Sequence, residues 1–339
     1  MNSKIRTISH TDLEEASTNL LQASGVPEVD AKTTARIQVE ADLKGVHTHG
    51  TFAIVGYIRQ IQKGEVNPVA NLRTVREGGA YIHVDGDNGL GQVVAHSVMA
   101  RVIEKAKNAG VAFGAAFNSN HYGASGYYAN MAAQADMVGF NTSGARKQMG
   151  NMAAFGSIDA VIGNAPFAYG VPAGTENPII LDMATGVVAA GKIGLAKMKG
   201  ERIPIGWGIT EDGEPTDDPA LAKTVVPLGP KGSGLSIIMH CIGGMLTGAG
   251  LEDIEKFGHL FIAIDIKTFS DPDVFKSEVA AKLNTIRNAR RAPGVDRIYY
   301  PGEPEWIKRE QYVVDGIPMF EGHITEMENL AEELGVPIP

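Results

Sequence analysis

Between residues 27 and 44, Ala31, Ala35, Val39 and Leu43 recur four apart, which puts them on one face of a helix. The same kind of pattern predicts helices over residues 11–24 and 51–63. Thr11-Asp12-Leu13-Glu14 has the spacing of a capping box for the first, and Gly25 and Gly45 are placed to stop the first and second. From residue 80 the pattern changes to short apolar runs alternating with helical stretches. It predicts strands at 80–84, 111–117, 137–141, 160–162, 179–181 and 261–266, with helices at 92–108, 125–135, 187–198 and 232–246. The tail from about residue 271 returns to a helical pattern. The expected architecture is a central layered α/β unit over 76–269, with 1–75 and about 270–339 packing together as a discontinuous helical unit.

Composition supports a folded protein with a large core: 44% of the 339 residues are hydrophobic and 20% charged. A net charge of -9, without a dense Lys/Arg tract, repels phosphate backbones, so nucleic acid is not an expected partner. The sole cysteine, Cys241, lies in an apolar run from Ile237 to Ile242, which excludes an internal disulfide and predicts a buried thiol in a reducing compartment. The N-terminal residues lack the roughly 7–15-residue apolar core of an export signal. No uninterrupted apolar run reaches the ~18 residues needed to span a bilayer. A soluble, cytoplasmic protein is expected.

Chemistry concentrates in Gly-bounded polar turns. Gly45-Val46-His47-Thr48-His49-Gly50 carries two histidines between two predicted helices, and Asn118-Ser119-Asn120-His121-Tyr122-Gly123 follows a predicted strand. Imidazole is the side chain whose ordinary pKa lies nearest neutrality, which suits it to moving a proton at pH 7. His47 and His49 are also spaced to share a metal, but no set of further ligands accompanies them, so no metal is expected. Gly86, Gly89 and Gly91 stand between a strand and a helix, as in a dinucleotide-binding turn. Val94 occupies the position where the G-x-G-x-x-G fingerprint needs glycine, and Phe117 ends the next strand where an acidic residue belongs. A tight turn is the reading that remains. No G-x-S-x-G elbow is present, which argues against a hydrolase of that kind.

These turns, together with Ile180-Leu181-Asp182-Met183-Ala184-Thr185, Gly191-Lys192, Ile203-Pro204-Ile205-Gly206-Trp207, Gly213-Glu214-Pro215-Thr216, Pro227-Leu228-Gly229-Pro230-Lys231-Gly232 and Tyr300-Pro301-Gly302-Glu303, resemble the malate/L-lactate dehydrogenase family over nearly the whole chain. That group also contains ureidoglycolate, sulfolactate and diketogulonate oxidoreductases and cyclic-imine reductases. The resemblance implies an L-sulfolactate dehydrogenase-like, non-Rossmann α/β fold, NAD or NADP as hydride carrier, and a homodimer. It places the acid/base at His49, with His121 as a second active-site histidine and Tyr57 and Thr48 at the substrate. Cofactor contacts carry over to Asp182, Met183, Ala184, Thr185, Pro230, Lys231, Gly302 and Glu303. The implied reaction is hydride transfer between nicotinamide and a small 2-oxo or 2-hydroxy acid.

Three positions depart from the family pattern. The arginine usually found four residues after the catalytic histidine, a clamp for the substrate carboxylate, is Ala53 here. The usual S-H-G turn reads Thr48-His49-Gly50, and G-T-N-P reads Gly163-Asn164-Ala165-Pro166, after a longer preceding segment that contains Arg146 and Lys147. Those two cations are candidates to replace the missing clamp, the alternative being that both are solvated on a surface loop. Loss of the arginine also leaves room for a cyclic imine or another carbonyl as substrate, and a catalytically idle NAD(P)-binding protein is the alternative outside catalysis.

Overall fold

The computed structural model describes residues 4–145, 150–248 and 256–338. Its N-terminal helices are α1 (His10–Ala23), α2 (Glu28–Leu43) and α3 (Phe52–Gln62). The cap of α1 lies earlier than the capping-box spacing predicts. Ser9 accepts the Asp12 N–H at 3.1 Å, while the Thr11 hydroxyl bonds to the Ser9 hydroxyl at 2.8 Å, so Thr11 supports the cap instead of forming it.

Both ends of the chain share one core. Strand β1 (Ile5–Ile8) pairs antiparallel with β14 (Ile317–Phe320), and helix α11 (Glu321–Leu334) follows directly. Leu20, Leu21, Ile54 and Ile58 pack there against Ile317, Met327 and Leu330. Two strands of this arrangement, β1 and β14, were not predicted, because four residues are too few to show an alternation.

The central layer is a seven-stranded sheet in the order β2-β3-β4-β13-β5-β8-β9. Its strands are β2 (Arg73–Gly78), β3 (Tyr81–Gly89), β4 (Val111–Ser119), β5 (Met137–Ala145), β8 (Phe167–Val171), β9 (Ile179–Met183) and β13 (Phe257–Asp265). Only β3 and β4 pair in parallel, joined through helix α4 (Gly91–Ala109); the other five neighbours are antiparallel. A doubly wound dinucleotide fold needs a mostly parallel sheet, so this architecture accounts for the failed glycine fingerprint. Helix α5 (Gly126–Ala133) and α4 cover the sheet with a second core built on Val98, Met99, Val102, Tyr128 and Phe261.

A smaller sheet combines β6 (Met152–Ala153), β7 (Ala160–Ile162), β10 (Gly208–Ile209), β11 (Pro215–Thr216) and β12 (Thr224–Val225). Helix α6 (Ala190–Lys199) packs Ile193 and Ala196 against Met152 and Val225 of that sheet. Helix α7 (Gly229–Met239) starts three residues before the prediction and passes into a wider π-helical turn over His240–Met245, then α8 (Leu246–Gly248). Gly243 and Gly244 sit in that turn against the backbone of Ser143 to Ala145, an approach that side chains would block. Cys241, on the same turn, is exposed, which corrects the expectation of a buried thiol: the glycine side faces β5, and the apolar run turns outward. Helices α9 (Pro272–Arg287) and α10 (Glu303–Asp315) complete the chain.

Candidate active site

α2 ends at Leu43, and the chain turns through a single helical turn, His47–His49, before α3 begins. β4 delivers His121 from the opposite side, just past its C-terminal end. The two rings lie 5.5 Å apart, centroid to centroid, on the wall of a pocket of about 590 Å³. That is a size typical of small-molecule and cofactor sites.

Each ring has one nitrogen already engaged. Tyr57, projecting from α3, places its hydroxyl 2.7 Å from His121 Nδ1, and Thr48 Oγ1 lies 3.0 Å from His49 Nδ1. Burial, together with the charge of the neighbouring His49, pushes the His121 pKa down to about 4. Burial lowers that of His49 as well. Desolvation raises the Tyr57 hydroxyl well above its ordinary value, so the phenol stays protonated. The arrangement is a neutral imidazole held by a neutral phenol.

The opposite wall comes from β9 and the turn after it. Asp182, Met183 and Ala184 line the pocket. The Asp182 carboxylate accepts the Gly126 N–H at 2.6 Å. It meets the water of the pocket on one side, yet protein surrounds it on the others. That crowding raises its pKa to about 6 against the opposing pull of the Gly126 N–H and Lys44. Thr185 is fully buried behind this wall, and its hydroxyl has no partner among the described residues. Gly302 lines the pocket, whereas Glu303 is buried beneath it. Arg287 and Arg297 hold the Glu303 carboxylate at 2.8 and 2.6 Å. Pro230 and Lys231 stand exposed at the start of α7, beside Leu228, which does line the pocket. Arg146 and Lys147 lie outside the described residues.

Among the pocket residues, Lys44, Trp306 and Glu305 belong to no motif read in the sequence, and Lys192 appears there only within Gly191-Lys192, with no role assigned. Lys44, the residue that caps α2, holds its ammonium 3.1 Å from Glu40 and 4.4 Å from the centre of the Trp306 ring. Lys192 stands in the first turn of α6, while Trp306 and Glu305 come from α10. Lys44 reads only as the end of a helix, and nothing in its spacing connects it to Trp306, 262 positions away.

The pocket residues fit a nicotinamide dinucleotide. Gly186, Val187, Val188 and Ala189 line the pocket and lead into α6, whose first turn has no side-chain cap and carries Lys192. Open N–H groups at a helix start, with a lysine beside them, form a ready site for a diphosphate.

Comparison with known proteins agrees with this architecture. The sequence profile of the family described as malate/L-lactate dehydrogenase matches residues 8–328. The chain is 37% identical to the L-sulfolactate dehydrogenase of Methanocaldococcus jannaschii over 332 residues, covering 94% of this chain and 95% of that protein. The solved structure of sulfolactate dehydrogenase from the same organism superposes with a TM-score of 0.90 at 35% identity, over 98% of each chain. A ureidoglycolate dehydrogenase (NAD(+)) of Escherichia coli O157:H7 is 30% identical over 322 residues, 91% of each chain. The protein belongs to the malate/L-lactate dehydrogenase family.

Proposed function

We propose that the protein interconverts a small 2-hydroxy acid and its 2-oxo acid, with NAD or NADP as hydride carrier. The observation that carries this reading is the facing pair His49 and His121, with Tyr57 bonded to His121, in a pocket whose other arm suits a dinucleotide. When bound, the nicotinamide supplies the hydride acceptor or donor. What the chain itself supplies is a proton and a geometry.

Tyr57 occupies Nδ1 of His121, so Nε2 is the nitrogen left for the substrate. A ring that is neutral at pH 7 takes the hydroxyl proton as the alcohol is oxidised and gives it back in the reverse direction. This arrangement favours His121 over His49 as proton carrier. His49 and Thr48 then orient the substrate from the other wall. Ala53 packs against the N-terminal core and does not line the pocket. Lys44 is already held by Glu40 and Trp306, so a carboxylate clamp is better sought at Arg146 or Lys147, which follow β5 directly.

Two copies are proposed to pair across the α7–α8 segment, where Ile238, Met245 and Leu246 are 54, 50 and 63% exposed. An exposed thiol at Cys241 suits a reducing, cytoplasmic setting. No helix among the described residues is long and apolar enough to cross a membrane. The test is nicotinamide absorbance, followed with a panel of small 2-hydroxy and 2-oxo acids and each dinucleotide. Turnover of at least one acid is expected; dinucleotide binding without turnover across the panel would overturn the reading.

A further inference from the structure

We propose that Asp42 is the positioning residue of the catalytic turn: its buried carboxylate ties both ends of the His47–Thr51 segment together and so sets where His49 stands. The inference rests on the assignment of His49 to the active site. Asp42 lies in the last turn of α2 and is fully buried. Its Oδ1 is 2.8 Å from His47 Nδ1, two residues before His49. Its Oδ2 accepts both the backbone N–H and the hydroxyl of Thr51, each at 2.7 Å, two residues after His49. A carboxylate only accepts, so His47 carries its hydrogen on Nδ1, and all three bonds are charge-assisted.

The turn is packed directly on that carboxylate. A Cβ on Gly50 would overlap the Asp42 carboxylate, so the backbone between His49 and Thr51 lies directly on it. One turn earlier on α2, Gln38 donates from Nε2 to the Gly50 carbonyl at 2.8 Å. From the far end of the chain, His323 on α11 closes the cluster, with Nε2 3.4 Å from the Thr51 hydroxyl and its ring 5.3 Å from that of Phe52. The Thr51 hydroxyl gives its hydrogen to Asp42 and has a lone pair left for His323. Asp42 touches no pocket surface. It acts through the turn.

The test compares Asp42→Ala with Asp42→Asn. Asparagine can turn its carbonyl to the two Thr51 donors and its amide NH₂ to His47 Nδ1 in the other tautomer, whereas alanine leaves all three partners bare. Asp42→Ala is expected to lower kcat several-fold, approaching but not exceeding the loss caused by replacing His49 itself, with the dissociation constant of the dinucleotide unchanged, and Asp42→Asn to recover most of that loss. In a double-mutant cycle, Asp42→Ala should cost little further turnover once His49→Ala is present, because its effect passes through His49. Ring NMR signals of 13C-labelled histidine form a second arm that needs no substrate: the His49 signal should move or broaden in Asp42→Ala while that of buried His259 stays. This arm reads the turn even if the hydroxy-acid assignment fails. Should Asp42→Ala not fold, Thr51→Ala removes one donor and is expected to give a milder form of both effects. An unmoved His49 signal, or an equal loss of turnover with and without His49, would overturn the proposal.

Discussion

His121 and His49 reach one pocket from regions held in different ways. His121 follows the end of β4, a strand with neighbours on both sides, and its backbone is packed against main chain of the neighbouring segments. The Asn120 side chain donates to the carbonyls of Asn88 and Gly89 at 3.0 and 2.8 Å, and the start of α4 at Gly91 abuts the carbonyls of Asn120 and His121. His49 rides on one isolated turn between two helices, and the ties to that turn come from the side chains of Asp42 and Gln38. A strand end gives rigidity through its ladder, while a short turn needs a buried polar anchor. The difference suggests a division of labour: the sheet holds the group that moves a proton, and the turn holds the group that orients substrate.

Replacing each histidine in turn tests that division most sharply. His121→Asn is expected to lower kcat by about 10²–10⁴, the usual worth of a positioned acid or base, and His49→Asn by roughly 10-fold. Dinucleotide affinity should stay near wild type in both. Equal losses in kcat would erase the distinction, and a larger loss at His49 would reverse the two roles.

A second pair of variants asks whether backbone and side-chain anchoring differ as described. Gly91→Ala would drive a methyl into the carbonyls of Asn120 and His121, and Gly50→Ala would drive one into the Asp42 carboxylate. Each is expected to cost about 1–3 kcal/mol of stability as overpacking. The obstruction at Gly50 is a side chain, so Asp42→Ala should make room for it. The double variant Gly50→Ala/Asp42→Ala is then expected to melt close to Asp42→Ala alone. At Gly91 the obstruction is main chain, and no side-chain truncation should relieve it. Full additivity at Gly50 in thermal melts would show that the turn is not seated on Asp42.

This contrast also marks what was legible in the sequence. The helices over residues 27–44 and 92–108 show in their apolar spacing, and both histidine turns show in their glycines and polar residues. Gly91 was seen, but as part of a failed dinucleotide fingerprint; its close approach to the His121 backbone spans 30 positions, and local spacing carries no trace of it. Asp42 read as one polar residue in a helix, because the residues that make it an anchor are gathered only when the chain turns back on itself. Lys44 and Trp306 are further apart still, and their contact depends on α10 folding against α2. The strands β1 and β14 share that dependence, since each is four residues long and is stabilised by the other. The family resemblance reached Glu303 as a cofactor contact, while the structure buries its carboxylate under the partly exposed guanidinium groups of Arg287 and Arg297, an arrangement that motif matching cannot display.

The smallest expected effect concerns the wall that faces both histidines. Crowding raises the Asp182 pKa to about 6, above the ordinary 3.8 of a free aspartate. Between those two values the folded protein binds a proton that the unfolded chain does not, so this group favours folding progressively as pH falls through the window and opposes it above pH 6. Asp182→Asn removes the titration and keeps a carbonyl oxygen for the Gly126 N–H. In the absence of dinucleotide, the variant should therefore melt slightly above wild type at pH 8, and the difference should fade as the pH drops from 6 toward 4. Other titrating groups, including His121, are common to both proteins and cancel in the comparison. Pocket water screens part of the charge, so a gain of no more than about 2 °C is expected. A difference in melting temperature that does not change with pH would mean that Asp182 has an ordinary carboxylate pKa. The wall opposite the histidines would then be as open to water as the surface, and the dry, neutral setting inferred for His121 would have to come from α3 and β4 alone.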